Sequence, residues 1–224
     1  MTAIKFPTLG NSRPELAARV LAAVVVFLDA RLVPDWSRSV GYFFDLQALA
    51  PTAVIASLLL SNGNAAAHGL LPRPHQGWRP WVLFALFAAA VIFVLCVIGA
   101  VTYWIMGWSI PIPKRDLRFW AEDLNFMCVI APIHEELVYR VLFTVAVLPL
   151  LGFYGTVIAG GVLFGLIHVL GGNPGPDNLI AGFFLQWAYM KSGTVLVPLA
   201  MHSSGNLIAF SAQVLSTILL PGAM

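Results

Sequence analysis

The sequence predicts an all-α fold, a polytopic transmembrane helical bundle of about seven (six to eight) spans. Composition is the first reason: hydrophobic residues make up 59% of the 224, and charged residues only 10%. An average soluble domain has about 25% charged residues, so this chain has too few to cover a surface in water. The second reason is that long apolar runs recur, separated by short stretches rich in proline and glycine.

The clearest predicted span is residues 81–106, which has no charged side chain and exceeds the about 20 residues that a crossing needs. Trp78, Trp81, Trp104 and Trp108 near its ends fit the aromatic belt of a membrane interface. The other predicted spans are residues 16–33, 44–60, 119–151, 153–170, 178–190 and 194–220. A cleaved signal peptide is the alternative for the first run, but no clean small-x-small cleavage site follows it, which favours an uncleaved helix.

A proline-rich loop at Pro111 separates two predicted parts of the chain. Residues 1–112 form the first part, with about three membrane helices, and residues 113–224 form the second. Within the second part, Gly161 and Gly165 make a small-xxx-small pair. Such a pair lets another helix approach closely, so a helix contact is predicted there.

Polar side chains inside the apolar runs are the most informative feature of the sequence. An ionisable group at mid-membrane costs about 3 kcal/mol on insertion scales, so it usually faces a cavity or a partner. The second part of the chain concentrates such groups, namely His134, Glu135, Glu136, Arg140, His168, His202 and Asn206. In the first part, Asp29 and Asp45 lie near predicted span ends, and His68 and His75 lie in a predicted loop.

Helix geometry separates the two adjacent glutamates. Residues four apart share a helix face, whereas neighbours diverge by about 100°. Glu136 and Arg140 are four apart, in a favourable order for an ion pair. Glu135 points elsewhere, with Tyr139 on its face, and His134 points to a third face. Glu136 is therefore predicted to neutralise Arg140, which leaves Glu135 as the free carboxylate.

Two more pairs lie four apart, Phe164 with His168 and His202 with Asn206. Each pair presents both members on one side of its helix. Three helices can therefore bring a carboxylate, two imidazoles and a carboxamide into one pocket. Taken singly, such a histidine is usually a packing residue, a Glu–Arg pair a structural ion pair, and an asparagine an interhelical hydrogen bond. Their occurrence together in neighbouring spans favours one site over several unrelated roles.

Together these residues form three motifs in a defined order. The motifs are Glu-Glu-x-x-x-Arg, Phe-x-x-x-His and His-x-x-x-Asn, formed by Glu135, Glu136 and Arg140, by Phe164 and His168, and by His202 and Asn206. In this respect the sequence resembles the CPBP family of intramembrane proteases, also called the CAAX-protease and bacteriocin-processing, or Abi, family. Its eukaryotic relatives are the type II CAAX prenyl endopeptidases. The resemblance covers roughly residues 120–210.

The resemblance implies an all-helical membrane protein in which residues 113–224 form a catalytic core around an intramembrane cavity and hydrolyse peptide bonds. Glu135 is then the expected general base that activates water. His168 is expected to orient that water. His202 and Asn206 are expected to stabilise the oxyanion. The expected supporting residues are Glu136, Arg140 and Tyr139.

The expected enzyme needs no cofactor. Zinc held by Glu135, His168 and His202 is the alternative, since two imidazoles and a carboxylate form a catalytic zinc ligand set. The expected partners are membrane lipids and a peptide or prenylated protein substrate, and no basic stripe indicates nucleic acid. The expected location is a bacterial plasma membrane, with the chain as a multi-pass integral protein.

Two other function classes use the same pattern. A proton or divalent-cation transporter would also place a carboxylate and histidines inside the membrane. A non-catalytic membrane scaffold would keep the helices without the chemistry. Cleavage of a peptide by purified protein, with no ion gradient present, discriminates the enzyme from both.

Overall fold

The computed structural model describes residues 6–36, 40–108, 117–173 and 175–219, with side chains throughout except at residues 33–36, 40–47 and 117. The predicted boundary between residues 112 and 113 lies outside the described residues, so the division into two parts stays a prediction. The side chain of Asp45 lies outside them as well.

The described residues are helical almost throughout, which confirms the predicted all-α class. No described residue belongs to a β-strand, and a single isolated bridge joins Leu70 and Thr194. The helices are α1 Arg13–Trp36, α2 Val40–Leu60, α3 Arg79–Ile105, α4 Trp120–Asn125, α5 Ala131–Glu136, α6 Phe143–Leu170, α7 Pro176–Ser192 and α8 Leu196–Leu219.

Helices α4 to α6 form one long helical segment, Trp120–Leu170. Two π-helical turns, Phe126–Ile130 and Leu137–Leu142, lie on either side of α5. Inside α6 the backbone breaks at Gly152, where φ is 65° and ψ is −176°. Only glycine adopts this conformation readily, because it has no Cβ. The break coincides with the boundary predicted between spans 119–151 and 153–170.

Within the described residues, two helical segments are long and apolar enough to cross a membrane, namely Arg79–Ile105 and Trp120–Leu170. The first is α3, which buries almost none of its side chains and exposes large apolar residues such as Leu86 and Phe93. Such exposure suits a helix surrounded by lipid. The predicted spans 119–151 and 153–170 both fall on the second segment. The predicted spans 16–33, 178–190 and 194–220 fall on helices outside this pair, and span 44–60 corresponds to the shorter apolar stretch Ala48–Leu60. A count of about seven spans therefore stays a prediction.

The close helix approach predicted at the paired glycines is confirmed in the packing of α6 against α7. A Cβ on Gly161 would collide with the ring of Phe183, and one on Gly165 would lie 2.9 Å from Leu179 Cδ1. On the facing helix, a Cβ on Gly182 would lie 2.9 Å from the carbonyl oxygen of Gly161. These glycines bring the two backbones together, which fixes α6 and its histidine relative to α7.

The main buried apolar cluster joins helices from both predicted parts of the chain. Helix α1 contributes Ala18 and Ala22, α2 contributes Ala53, and the second π turn contributes Val141 and Leu142. Lipid is as apolar as these side chains, so helices inside a membrane associate through close van der Waals packing and interhelical hydrogen bonds. The N-terminal helices therefore brace the segment that carries the two glutamates.

Candidate active site

Glu135 lies between the two histidines that the sequence placed on other helices. Its Oε2 atom is 3.9 Å from Nε2 of His168 on α6 and 3.7 Å from Nε2 of His202 on α8. The same oxygen is buried and has no hydrogen-bond partner among the described residues. The Glu135 and His168 side chains are each 18% exposed, so the cluster is partly open. The structure thus brings together three of the four residues predicted to be catalytic.

The hydrogen bonds of the two imidazoles fix which nitrogen faces Glu135. Nδ1 of His168 lies 2.8 Å from the carbonyl oxygen of Phe164, and because a carbonyl can only accept, this nitrogen donates. Nδ1 of His202 lies 2.8 Å from Oε1 of Glu136, a carboxylate oxygen that also accepts. In a neutral imidazole the other nitrogen then carries a lone pair. In their neutral forms, both imidazoles therefore face Glu135 with Nε2 as an acceptor.

Oε2 of Glu135 and the two Nε2 atoms are three acceptors close together, so a hydrogen-bond donor between them would be favourable. Separations of 3.7 and 3.9 Å exceed the about 3.2 Å limit of a direct N···O hydrogen bond. They suit a bridged contact, in which an inserted water donates to two of the atoms. A protonated imidazole or a metal ion would also relieve the repulsion between the three lone pairs. A small polar species between these atoms would therefore satisfy the acceptor capacity that they leave unmet.

Glu136 forms the predicted ion pair with Arg140. Oε2 of Glu136 lies 3.2 Å from Nε of Arg140, and both side chains are fully buried. The N–H is not aligned for a hydrogen bond, so the contact is electrostatic. Because Oε1 also binds His202 Nδ1, Glu136 fixes the orientation of that imidazole, which the sequence did not predict. One carboxylate thus couples the Arg140 charge to the site histidine.

The Phe164 ring packs against Arg140, His168 and His202. Its place in the motif did not predict this role. The Arg140 guanidinium carbon lies 4.5 Å from the centre of the Phe164 ring, which is cation–π geometry. The same ring lies 4.4 Å from the imidazole of His168 and 5.6 Å from that of His202, centre to centre. Phe164 therefore packs the two imidazoles against the buried arginine.

Asn206 binds the backbone at the start of the motif segment. In the first π turn the N–H of Ala131 donates to the carbonyl of Phe126, five residues earlier. By the same pattern Pro132 would pair with Met127, but proline has no N–H. Nδ2 of Asn206 lies 2.7 Å from the Met127 carbonyl oxygen and donates to it instead. The second amide hydrogen is the one available to a substrate, so the predicted oxyanion role stays a prediction.

The Tyr139 side chain does not share the face of Glu135, as regular helix geometry predicts that it would. Its hydroxyl donates to Oδ2 of Asp29, on α1, and not to Glu135. His134 binds the other oxygen of the same carboxylate, with Nε2 2.8 Å from Oδ1. Asp29, predicted near a span end, is fully buried. The missed signal was an acidic residue inside the predicted span 16–33, which in a membrane indicates a partner.

Glu135, His168 and His202 have the atom types that bind zinc, but these atoms lie farther apart than the ligands of a tetrahedral zinc ion. Tetrahedral zinc with bonds of about 2.0–2.1 Å places its ligand atoms about 3.3 Å apart, compared with 3.7 and 3.9 Å here. The His202–Glu136 contact resembles the outer-shell hydrogen bonds that orient metal ligands. Among the described residues, no group of three His, Cys, Asp or Glu side chains is closely enough arranged to hold a metal ion.

Residues 119–208 match the family model of the type II CAAX prenyl endopeptidase Rce1-like proteins. The matched range contains every motif residue from Glu135 to Asn206. Comparisons of the chain with curated proteins and with solved structures give no match. With two helices long and apolar enough to cross a membrane, the family match indicates a membrane protein and a protease-type enzyme. The match over residues 119–208 makes this part of the chain similar to the Rce1-like proteins and supports its resemblance to the CPBP family of intramembrane proteases.

Proposed function

We propose that the protein is an intramembrane endopeptidase that hydrolyses a peptide bond in a membrane-associated peptide or protein, of the CAAX type or a related one. The proposal includes a multi-pass arrangement, with about seven spans, in a bacterial plasma membrane. The observation that carries it is the convergence of Glu135 Oε2 with two histidine Nε2 atoms at 3.7 and 3.9 Å. The family match over the same residues supports it.

The first step is attack by water on the scissile carbonyl. A water between the three atoms donates one hydrogen to Oε2 of Glu135 and the other to Nε2 of His168, which leaves an oxygen lone pair for the carbonyl carbon. As the carbon–oxygen bond forms, Glu135 takes the water proton as general base. The hydrogen bond from His168 Nδ1 to a backbone carbonyl holds the ring in the required orientation.

The oxyanion that forms needs donors. His202 donates from Nε2 when that nitrogen carries a proton, and the carboxylate of Glu136 at Nδ1 stabilises the charged imidazolium. Asn206 donates the amide hydrogen that Met127 does not use. Donors of this kind lower the barrier because they are oriented before charge develops.

Collapse of the intermediate breaks the carbon–nitrogen bond. Glu135 returns the water proton to the leaving nitrogen, so the products are a free amine and a new carboxylic acid, whose proton then passes to the amine or to solvent, and the residues regain their starting state. The proposed reaction uses this chain's own residues alone. In the zinc alternative Glu135, His168 and His202 would hold the ion, which would polarise the carbonyl.

Peptide-release profiling tests the proposal. Purified protein in liposomes without an ion gradient is incubated with membrane-segment peptides, with and without a prenylated C-terminal cysteine, and the fragments are identified by mass spectrometry. Wild type should release defined fragments, and Glu135→Ala should release none. Glu122→Ala, which removes an exposed carboxylate on α4, is the matched control and should match wild type.

Two other outcomes would contradict the proposal. Loss of cleavage on adding a chelator, with recovery on adding zinc, would replace the metal-free reaction by the zinc alternative. Failure of wild type to cleave any peptide, together with Glu135-dependent proton or cation flux when a gradient is imposed, would establish a transporter in place of an endopeptidase.

A further inference from the structure

We propose that Asp29 is a positioning residue for the reaction: from α1 it holds the outer face of the motif segment and thereby sets the direction of Glu135. This inference rests on the proposed function. Asp29 lies outside the matched residues 119–208 and outside every motif. It acts through His134 and Tyr139, and none of the three contacts the reacting atoms.

The contacts of Asp29 are those of a clamp. Its side chain is 1% exposed, and each of its two oxygens binds a different residue of the motif segment, one the His134 ring at 2.8 Å and the other the Tyr139 hydroxyl. These partners are 105 and 110 residues away in sequence. A buried carboxylate is costly unless it is paired and hydrogen-bonded, so both contacts stabilise this arrangement of α1 against the segment.

The two contacts of Asp29 depend on the π turn that follows α5. His134 and Tyr139 are five residues apart, which in a regular α-helix leaves their side chains about 140° apart. The wider π turn, Leu137–Leu142, brings them toward one face, where a single carboxylate reaches both. Asp29 therefore binds the segment in its π form and not in a regular helical form.

The π form sets where Glu135 points. Glu135 directly follows His134, and a one-residue change of register would rotate it by about 100° about the helix axis. Such a rotation would carry Oε2 away from the two Nε2 atoms, which now lie 3.7 and 3.9 Å from it. On the inner face, the ion pair between Glu136 and Arg140 spans the same turn. The outer and inner contacts together hold the base in place.

Steady-state kinetics of Asp29→Asn and Tyr139→Phe test the positioning role. The first variant keeps the shape of the side chain, and the second removes one hydroxyl. With a peptide that wild type cleaves in the profiling experiment, each should lower kcat by about 10² at a nearly unchanged KM, since small misplacements of catalytic groups have effects of this size. The double variant should be no slower than the slower single variant, because the two groups act as one unit. Glu15→Gln, an acid-to-amide change near the start of α1, should match wild type.

Hydrogen exchange supplies a readout that does not depend on activity. Backbone amides of residues 131–142 should exchange faster in Asp29→Asn than in wild type, whereas amides of α7 should exchange at the wild-type rate. A purely structural role would instead lower the yield of folded protein and leave kcat per folded molecule unchanged, which would overturn the proposal. If wild type cleaves no peptide while Asp29→Asn still accelerates exchange, the clamp stands and the proposed function fails.

Discussion

The motif segment from α5 to the second π turn has two polar faces that differ in how completely their atoms are bonded. On the outer face, both Asp29 oxygens are within direct hydrogen-bond reach of His134 and Tyr139, and the group is buried. On the inner face, the distances from Glu135 to the two histidines are 3.7 and 3.9 Å. The same short stretch of chain thus makes direct hydrogen bonds on its outer face, whereas the separations on its inner face suit a contact bridged by a small molecule such as water.

This difference separates a structural cluster from a reactive one. Buried polar groups in folded proteins are nearly always hydrogen-bonded, and both oxygens of Asp29 follow that rule. On the inner face, Oε2 of Glu136 and Nε and Nη2 of Arg140 have no hydrogen bond among the described residues, but these two side chains form an ion pair. Oε2 of Glu135, the atom that chemistry would use as a base, also has no hydrogen bond, and its side chain is partly exposed. Unmet hydrogen-bonding capacity in a partly open cluster is therefore the property that marks the site, more than the presence of acidic and imidazole groups.

Glu135→Gln should produce the largest effect on the inner face. The amide keeps the shape of the side chain but cannot take a proton from water, so turnover should fall by about 10²–10⁴ or beyond detection. The melting temperature should stay close to that of wild type, because Oε2 has no hydrogen bond to lose among the described residues. Peptide release per folded molecule is the measurement, and full activity in this variant would show that Glu135 is not the base.

Glu136→Ala should damage the fold as well as the reaction. It leaves the buried Arg140 without its counter-charge, and breaking a buried ion pair typically costs about 3–5 kcal/mol. Denaturant unfolding in detergent measures the loss. The double variant Glu136→Gln/Arg140→Met should recover stability but not activity, because His202 still loses its carboxylate. A stable, fully active Glu136→Ala protein would contradict both assigned contacts.

Asn206→Ala should slow the reaction by about 10²–10³, the usual effect of removing one oxyanion donor. The comparison with Pro132→Ala sharpens this prediction, because an N–H at position 132 could bind the Met127 carbonyl in place of Asn206. If Asn206 only satisfies that carbonyl, adding Pro132→Ala to Asn206→Ala should restore turnover. If Asn206 stabilises the oxyanion, turnover should stay low in the double variant.

His68 provides a closed counterpart to His168. Each donates Nδ1 to the carbonyl four residues earlier at 2.8 Å. They differ at Nε2, which lies 2.8 Å from the Ser57 hydroxyl in His68 but 3.9 Å from Glu135 in His168. His68 is fully buried in the loop between α2 and α3. Two histidines with the same Nδ1 hydrogen bond therefore differ at Nε2, which is hydrogen-bonded in His68 but lies beyond direct hydrogen-bond distance of Glu135 in His168.

A small pH effect on stability should follow from His68. Burial lowers the pKa of His68 below its usual value of 6.5. Below that pH the unfolded chain binds a proton that the folded chain does not, so the free energy of unfolding should fall as pH falls from 6.5 and should be insensitive to this group above it. Melting temperatures in detergent between pH 5 and 8 should vary less in His68→Gln than in wild type. Exposed His75 gives the control: His75→Gln should keep the wild-type dependence.

Much of the fold follows from hydropathy and from the positions of glycine and proline. The predicted span 81–106 corresponds to α3, and the predicted break before residue 153 corresponds to Gly152. These features are local, because apolar runs and glycine conformations depend on nearby residues. The convergence of Glu135 with His168 and His202 was also predictable, since polar groups in apolar helices seek one another.

The remaining features depend on information that spacing does not contain. A four-residue spacing cannot tell a regular turn from a π turn, so the positions of Tyr139 and of the Asn206 contact were not foreseen. The partners of Asp29 lie more than 100 residues away and share no pattern with it. Long-range pairs of this kind become visible only when the helices are packed together.

A high-resolution experimental structure of the wild-type protein tests the central claim most directly. The account predicts a single water-sized density peak within about 3.2 Å of Glu135 Oε2 and of at least one histidine Nε2, unchanged after treatment with a chelator. A peak with the anomalous scattering of zinc, or side chains of Glu135, His168 and His202 turned away from one another toward lipid, would contradict the account.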